Sequence, residues 1–315
     1  MIEYKAGPDE TGSRLDRFLR KKMPLMGLSD IYALIRKGRV LVDSNKAKAN
    51  HRLKEGELLQ IRANPSEFST DEKNSSLADL VNTEFFKHNF KILFEDSAIL
   101  VCNKPCGLVV HPGSGHLKHD NLIDLASAYM LSKNHEQAPV LTHRLDRDTS
   151  GIILLAKNKG IVRKLHQSMI SGKFTKQYLA ISHNRPPKTE GRVSLGMKRT
   201  HDSSGMKMKI AEKGDHSESS YRLTEYRNEL SSLEIILHTG KTHQIRVHMA
   251  HLLAPIVGDV RYGRKDLDQK LFSSRKNLPP RLYLHAHKLS FPHPLNSKKI
   301  TLKADIPAEF RKIMN

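Results

Sequence analysis

The chain contains no tryptophan, only two cysteines in 315 residues, and no apolar run near the roughly 20 residues of a membrane span. Cys102 and Cys106 cannot build a disulfide framework and fit a reducing compartment. The opening Met1-Ile2-Glu3-Tyr4-Lys5 lacks an apolar signal core, so a cytoplasmic protein without a membrane partner is expected. Ten Phe and eight Tyr are too few for a broad stacking platform for single strands. Acidic residues are also short: 33 Asp and Glu face 53 Lys and Arg, a formal charge of +20 that selects polyanions, nucleic acid first. With 38% hydrophobic residues the chain has enough apolar material for a core, and its length suggests two domains.

The charge is uneven. Residues 13–62 hold thirteen Lys or Arg against five Asp or Glu, and residues 63–90 hold two against five in a polar, weakly patterned stretch that reads as a linker. Residues 91–315, with 37 against 20, form the larger domain. In the first segment Leu15, Phe18, Leu19 and Met23 make one helical stripe, with Arg14, Arg17 and Arg20 facing elsewhere. Ser29 is expected to cap a second helix, which Gly38 ends after Arg36-Lys37. Residues 40–42 and 58–61 read as short strands. A solvated charged face is the plain alternative, but the excess has one sign and lacks the acidic partners of i,i+4 pairing. Arg14-Leu15-Asp16, Ile35-Arg36-Lys37-Gly38-Arg39-Val40 and Leu53-Lys54-Glu55-Gly56-Glu57 together resemble an S4 (α-L-like) RNA-binding domain. That resemblance implies structured RNA as the partner, contacted by Arg14, Arg17, Arg36, Lys37 and Arg39.

In the larger region strand-like runs recur at 92–94, 99–102, 140–142, 152–155, 178–181, 233–237 and 282–284, and helical patterns near 122–131, 160–171 and 242–253. Strands and helices do not alternate regularly, so an α+β domain with a mixed, largely antiparallel sheet flanked by helices is expected. Gly240-Lys241-Thr242 has the tail of a P-loop, but Ile235 stands where its first glycine belongs. Gly113 and Gly115 begin a dinucleotide fingerprint that Lys118 ends. The histidines and cysteines lack zinc-site spacing, so no metal is expected.

What remains is His143-Arg144-Leu145-Asp146-Arg147-Asp148-Thr149-Ser150-Gly151, between two apolar runs. A carboxylate flanked by Arg144 and Arg147 is expected to stay ionised, as a nucleophile requires. The competing reading is a structural turn, with Asp148, Thr149 and Ser150 bonded to backbone amides and Gly151 at positive φ. A second constellation runs from Thr239 to His248, where Arg246 and either His243 or His248 could reach a carboxylate. Tyr178 opens a strand, where a core or edge role is the default.

Taken in order, His143-Arg144-Leu145-Asp146 with Thr149-Ser150-Gly151, Lys176-Gln177-Tyr178, Gly240-Lys241-Thr242-His243-Gln244-Ile245-Arg246, Leu284-His285-Ala286 and Phe291-Pro292-His293-Pro294 resemble the RluA family of pseudouridine synthases. Asn103-Lys104-Pro105, His111-Pro112-Gly113-Ser114-Gly115 and Asp259-Val260-Arg261-Tyr262-Gly263 are similar to its large-subunit rRNA branch. The resemblance implies a cofactor-free isomerase acting on structured RNA, 23S rRNA foremost; a monomer is expected. It makes Asp146 the nucleophile, at C1′ or at C6, and Tyr178 the residue that stacks on the base and can accept the C5 proton. It makes Arg246 the partner of the carboxylate and Arg144 the residue that fills the stack when the base is flipped out. Lys241 replaces the more usual arginine and is assigned to RNA contact only. The same chemistry on tRNA and a non-catalytic ribosome assembly factor are the alternatives.

Overall fold

The computed structural model describes residues 2–23, 26, 28–62, 77, 79–111, 120–135, 137–202 and 205–315. Residues 63–76 and 78 of the expected linker, and residues 112–115 of the glycine-serine motif, lie outside the described residues. The chain forms two compact units that divide between Val81 and Asn82.

In the N-terminal unit, strand β1 (Ile2–Lys5), helices α1 (Leu15–Lys22) and α2 (Leu28–Arg36), and strands β2 (Val40–Val42), β3 (Asn45–Lys46) and β4 (Leu58–Ile61) follow one another. The sheet order is β1-β4-β2-β3, all antiparallel. Leu15, Phe18, Leu19 and Met23 are buried with Ile31, Leu34, Ile35, Val40 and Leu59, so the stripe read from spacing is the core face of α1. Gly38 has φ +67, and Gly38 N–H and Arg39 N–H donate to the Ile35 and Leu34 carbonyls. This paired closure needs a left-handed residue and explains a glycine there. Two expectations are corrected: α2 begins at Leu28, so Ser29 lies inside its first turn, and β1 is an additional strand whose four residues were too few to show a pattern.

The second unit begins with helix α3 (Glu84–Asn89), inside the stretch read as linker. The Thr83 side chain caps it by accepting from Phe86 N–H, and the Phe90 ring packs at a tilt against Tyr129, centroids 5.5 Å apart, so these residues are fastened to the unit. There follow β5 (Ile92–Glu95), β6 (Ile99–Lys104), α4 (Leu122–Ser132), β7 (Val140–Leu141), β8 (Ser150–Ala156), α5 (Lys159–Ile170) and β9 (Thr175–His183). Then come β10 (Glu190–Asp202), β11 (Gly205–Ile210), β12 (Asp215–Arg227), β13 (Leu230–Leu237), α6 (Gln244–His251), α7 (Lys265–Ser274), β14 (Leu284–Pro292), β15 (Lys299–Lys303) and α8 (Ala308–Lys312). One eleven-stranded mixed sheet runs β11-β10-β12-β13-β9-β14-β8-β6-β5, with β15 on β14 and β7 on β8. Among its described pairs only β14 with β8 is parallel. Every residue of β8 is buried, as its unbroken apolar run requires for a strand covered on both faces. Ile152 and Leu154 pack with Ile161 and Leu165 of α5. No described helix is long and apolar enough to cross a membrane.

The parallel junction needs Gly151. Its φ is +112, and a Cβ there would overlap the Ala286 carbonyl oxygen and sit 2.7 Å from the Ala286 nitrogen. Gly151→Ala should therefore lower Tm by roughly 5–10 °C, the scale of a few kcal/mol of strain. A calorimetric scan showing an unchanged Tm would remove the glycine requirement.

Candidate active site

A cavity of about 770 Å³ gathers Asp146, Tyr178, Arg246, Arg144 and Lys241, which come from three segments far apart in sequence. Asp146 lies in the loop between β7 and β8, Tyr178 on β9, and Arg246 on α6. The loop is held from beneath. Thr142 Oγ1 donates to the Leu154 carbonyl at 2.8 Å, and Leu154 N–H donates to His143 Nε2 at 3.2 Å. Buried Lys104 donates to the Pro105, Leu108 and Arg147 carbonyls at 2.7–2.8 Å, tying the residue after Asp146 to the end of β6. Burial pulls its ammonium down to about 7.

Arg246 Nη1 donates to Asp146 Oδ2 at 3.0 Å, while Nε and Nη2 donate to Asp259 Oδ2 and Oδ1, both at 2.7 Å. Burial would lower the guanidinium's pKa, but the hydrogen bonds and charge of Asp259, then Asp146, raise it above its ordinary value. Burial would raise Asp259, yet Arg246 and the Arg261 and Tyr262 amides hold it below the carboxylate range. Helix α6 is set in place by Gln244, whose Oε1 accepts from Thr239 Oγ1 and Lys241 N–H and whose Nε2 donates to the Glu218 carbonyl. His248, fully buried, lies between Ser217 Oγ (2.9 Å) and Ser219 Oγ (2.7 Å) of β12.

These positions correct part of the sequence argument. Arg147 pairs with Asp148 and Arg144 is exposed, so neither flanking cation neutralises Asp146; Arg246, one hundred residues later, does. Of the two histidines, His243 faces the carboxylate, its Nε2 3.8 Å from Asp146 Oδ2, and His248 packs inside. Asp148 and Ser150 bond to side chains, Arg147 and His285, not to the amides of a structural turn. Burial, then the charge of Asp146, pushes the Tyr178 phenol well above its ordinary range, so it is a neutral O–H and a ring face at neutral pH, not a standing base. Lys241 stands at the rim with Asp215 at 3.2 Å.

Arg14, Arg17, Arg36, Lys37 and Arg39 belong to the N-terminal unit and are exposed. Arg14 is engaged by Asp16 through Nε (3.1 Å) and Nη2 (2.8 Å); the other four make no ion pair with a described residue. Asp259 and Tyr262 were missed as site residues. The signal was Asp259-Val260-Arg261-Tyr262, a turn in which Asp259 Oδ1 accepts both following amides at 3.0 Å. Among the described residues no group of three His, Cys, Asp or Glu is gathered as a metal site needs.

Three imidazoles that frame this region are neutral by burial: His143 is pushed down to about 3, and His248 and His285 to about 4. The unfolded chain takes up protons near pH 6.5 that the folded form refuses. Stability should therefore fall as pH drops from about 6.5 towards 4, by up to about 1.4 kcal/mol per pH unit for each imidazole. Urea midpoints at pH 7.5, 6 and 5 test this, and a flat series rules it out.

The sequence profile described as RNA pseudouridylate synthase matches residues 98–251. The ribosomal large subunit pseudouridine synthase C of Buchnera aphidicola subsp. Acyrthosiphon pisum is 35% identical over 303 residues, covering 96% of this chain and 93% of that protein. The protein of the same description from Haemophilus influenzae is 31% identical, covering 97% and 92%. Human RNA pseudouridylate synthase domain containing 4 shares the fold, with a TM-score of 0.58, 24% identity and coverage of 77% of this chain and 95% of that one. The chain thus belongs to the RluA family of RNA pseudouridine synthases, as an isomerase of the RluC type.

Proposed function

We propose that the chain isomerises specific uridines of 23S rRNA to pseudouridine in the cytoplasm, with Asp146 as the nucleophile. The observation that carries this is Asp146 on the edge of the cavity, held through Oδ2 by a guanidinium that Asp259 has already fixed. Asp146 attacks C1′ or C6, the C1′–N1 bond breaks, the base turns, C1′–C5 forms, the bond to Asp146 breaks with its electron pair returning to the carboxylate, and the proton leaving C5 is matched by one gained at N1. Uridine and pseudouridine are isomers, so the balance calls for no cofactor. Tyr178 offers a ring face to the base, and Arg144, long, planar and exposed at the cavity, suits the gap left by the flipped nucleotide. The large-subunit substrate is supported by the names of the relatives.

We propose further that residues 13–62 act as an S4-like domain that binds structured RNA. Support comes from two helices and a small sheet presenting Arg17, Arg36, Lys37 and Arg39 without described acidic partners. Arg14 contributes less, since Asp16 holds its fork.

Incubating the protein with unmodified large-subunit rRNA, and mapping pseudouridine by carbodiimide-dependent reverse-transcription stops, should give discrete stops. Asp146→Asn should abolish them with RNA affinity within a few fold. Full turnover by Asp146→Asn would refute the nucleophile, and stops on tRNA alone would move the substrate. Replacing Arg17, Arg36, Lys37 and Arg39 together by Gln should make the slope of log affinity against log salt shallower by about 0.7–0.9 per lost phosphate contact. An unchanged slope would take RNA contact away from this unit.

A further inference from the structure

Helix α5 carries Lys159, Arg163 and Lys164 and not one Asp or Glu. Lys159 is its first residue, at the positive end of the helix dipole, and Arg163 follows at i+4, so two like charges stand one turn apart where the dipole disfavours both. Neither has an ion pair with a described residue, and both are exposed. The Asn158 side chain caps the helix by accepting from Ile161 N–H, but no acidic side chain on the helix offsets the two charges. A polyanion outside the helix would offset them.

The geometry supplies a direction. At about 100° per residue, Lys159, Arg163, His166 and Ile170 fall within a narrow stripe, roughly 16 Å long, opposite the buried Ile161 and Leu165. The stripe ends at the cavity: His166, Met169, Ile170 and Gly172 line it together with Asp146 and Arg144. Ile170 is 87% exposed, an aliphatic side chain left in water at the mouth of the site. His166 Nε2–H donates to the Thr142 carbonyl at 3.1 Å, four residues before Asp146, which fixes the stripe relative to the nucleophile's loop.

We infer that the exposed face of α5 is the track for the RNA strand on one side of the flipped uridine, with Lys159 and Arg163 on its phosphates and Ile170 against the base beside the vacated position. Cations spaced along a helix suit successive phosphates, and an aliphatic tip at the pocket mouth suits an unstacked base face. Arg144 and Ile170 then flank the opening from two elements. The inference rests on the reading of the chain as an RNA-modifying enzyme.

Initial rates of pseudouridine formation on protein-free large-subunit rRNA, measured against RNA concentration at several KCl concentrations, test it. Lys159→Gln with Arg163→Gln should raise KM about 5–20-fold, keep kcat within twofold, and make the salt slope of kcat/KM shallower by about 1.4, or about 0.7 per single-strand phosphate. Ile170→Ser should lower kcat/KM several-fold with the salt slope unchanged. The control pair Lys299→Gln with Lys303→Gln, on exposed positions of β15, should leave all three quantities as in the wild type. A wild-type slope in the α5 variant, or an equal loss in the β15 control, would overturn the track, and wild-type kinetics of Ile170→Ser would remove that residue from it. Salt slopes of direct RNA binding answer the same question without turnover. Absence of product from the wild type itself would instead count against the isomerase reading.

Discussion

A guanidinium almost removed from water has to be neutralised where it stands, and the catalytic half of the molecule is arranged around that demand. Arg246 is only 10% exposed, and its partners arrive from two places: Asp146 from the loop before β8, and, from the turn after α6, both Asp259 and the face of Tyr262 at 5.1 Å. Losing one carboxylate from such a cluster leaves a buried charge unpaired, a cost of about 3–5 kcal/mol. The supports are placed accordingly. Gln244 closes the loop from β13, His248 pins α6 to β12 through two serines, and Lys104 caps three carbonyls beneath the Asp146 loop.

Much of this is legible in the sequence because the segments that line the cavity are short and local. Asp146, Tyr178 and Arg246 could be picked out by short motifs, and Leu15, Phe18, Leu19 and Met23 by helical spacing. The partner of Asp146 was misread from spacing because sequence neighbours on a loop point in different directions: Arg147 turns to Asp148 and Arg144 to solvent. Asp259 has no such signal, since nothing in a carboxylate thirteen residues beyond an arginine announces a bidentate pair. Strand β12 is hidden for another reason. Its inward positions include Ser217 and Ser219, which serve His248, so this part of the strand is polar on both faces and carries no hydrophobic period.

The buried histidines follow the same logic. Eighteen histidines in a basic chain invite a metal or a switch, yet His143, His248 and His285 are held neutral and use ring nitrogens to join backbone or serine hydroxyls across elements. An imidazole is suited to this because its two nitrogens can accept and donate in opposite directions without a charge to desolvate. Beside them His243 is the exception. It is aimed at Asp146, and its Nδ1 meets a Tyr262 hydroxyl that already accepts from Met208 N–H. That hydroxyl's one proton is best used towards Nδ1, which leaves N–H on Nε2, the side facing the carboxylate.

The division of Arg246 between two carboxylates also decides what Asp146 is free to do. An arginine facing Asp146 alone would take both of its oxygens in a fork-to-fork pair and quench them. Here Asp259 occupies the Nε and Nη2 edge, so a single N–H remains for Asp146, and its Oδ1 has no hydrogen-bond partner among the described residues. Two carboxylates thus share one guanidinium, Asp259 through two N–H groups and Asp146 through one. A lysine at position 246 would neutralise but could not partition itself this way, because an ammonium has no rigid edge to assign to one partner. The fork therefore does more than pair with Asp146: it engages one carboxylate oxygen through a single N–H and leaves the other without a partner among the described residues.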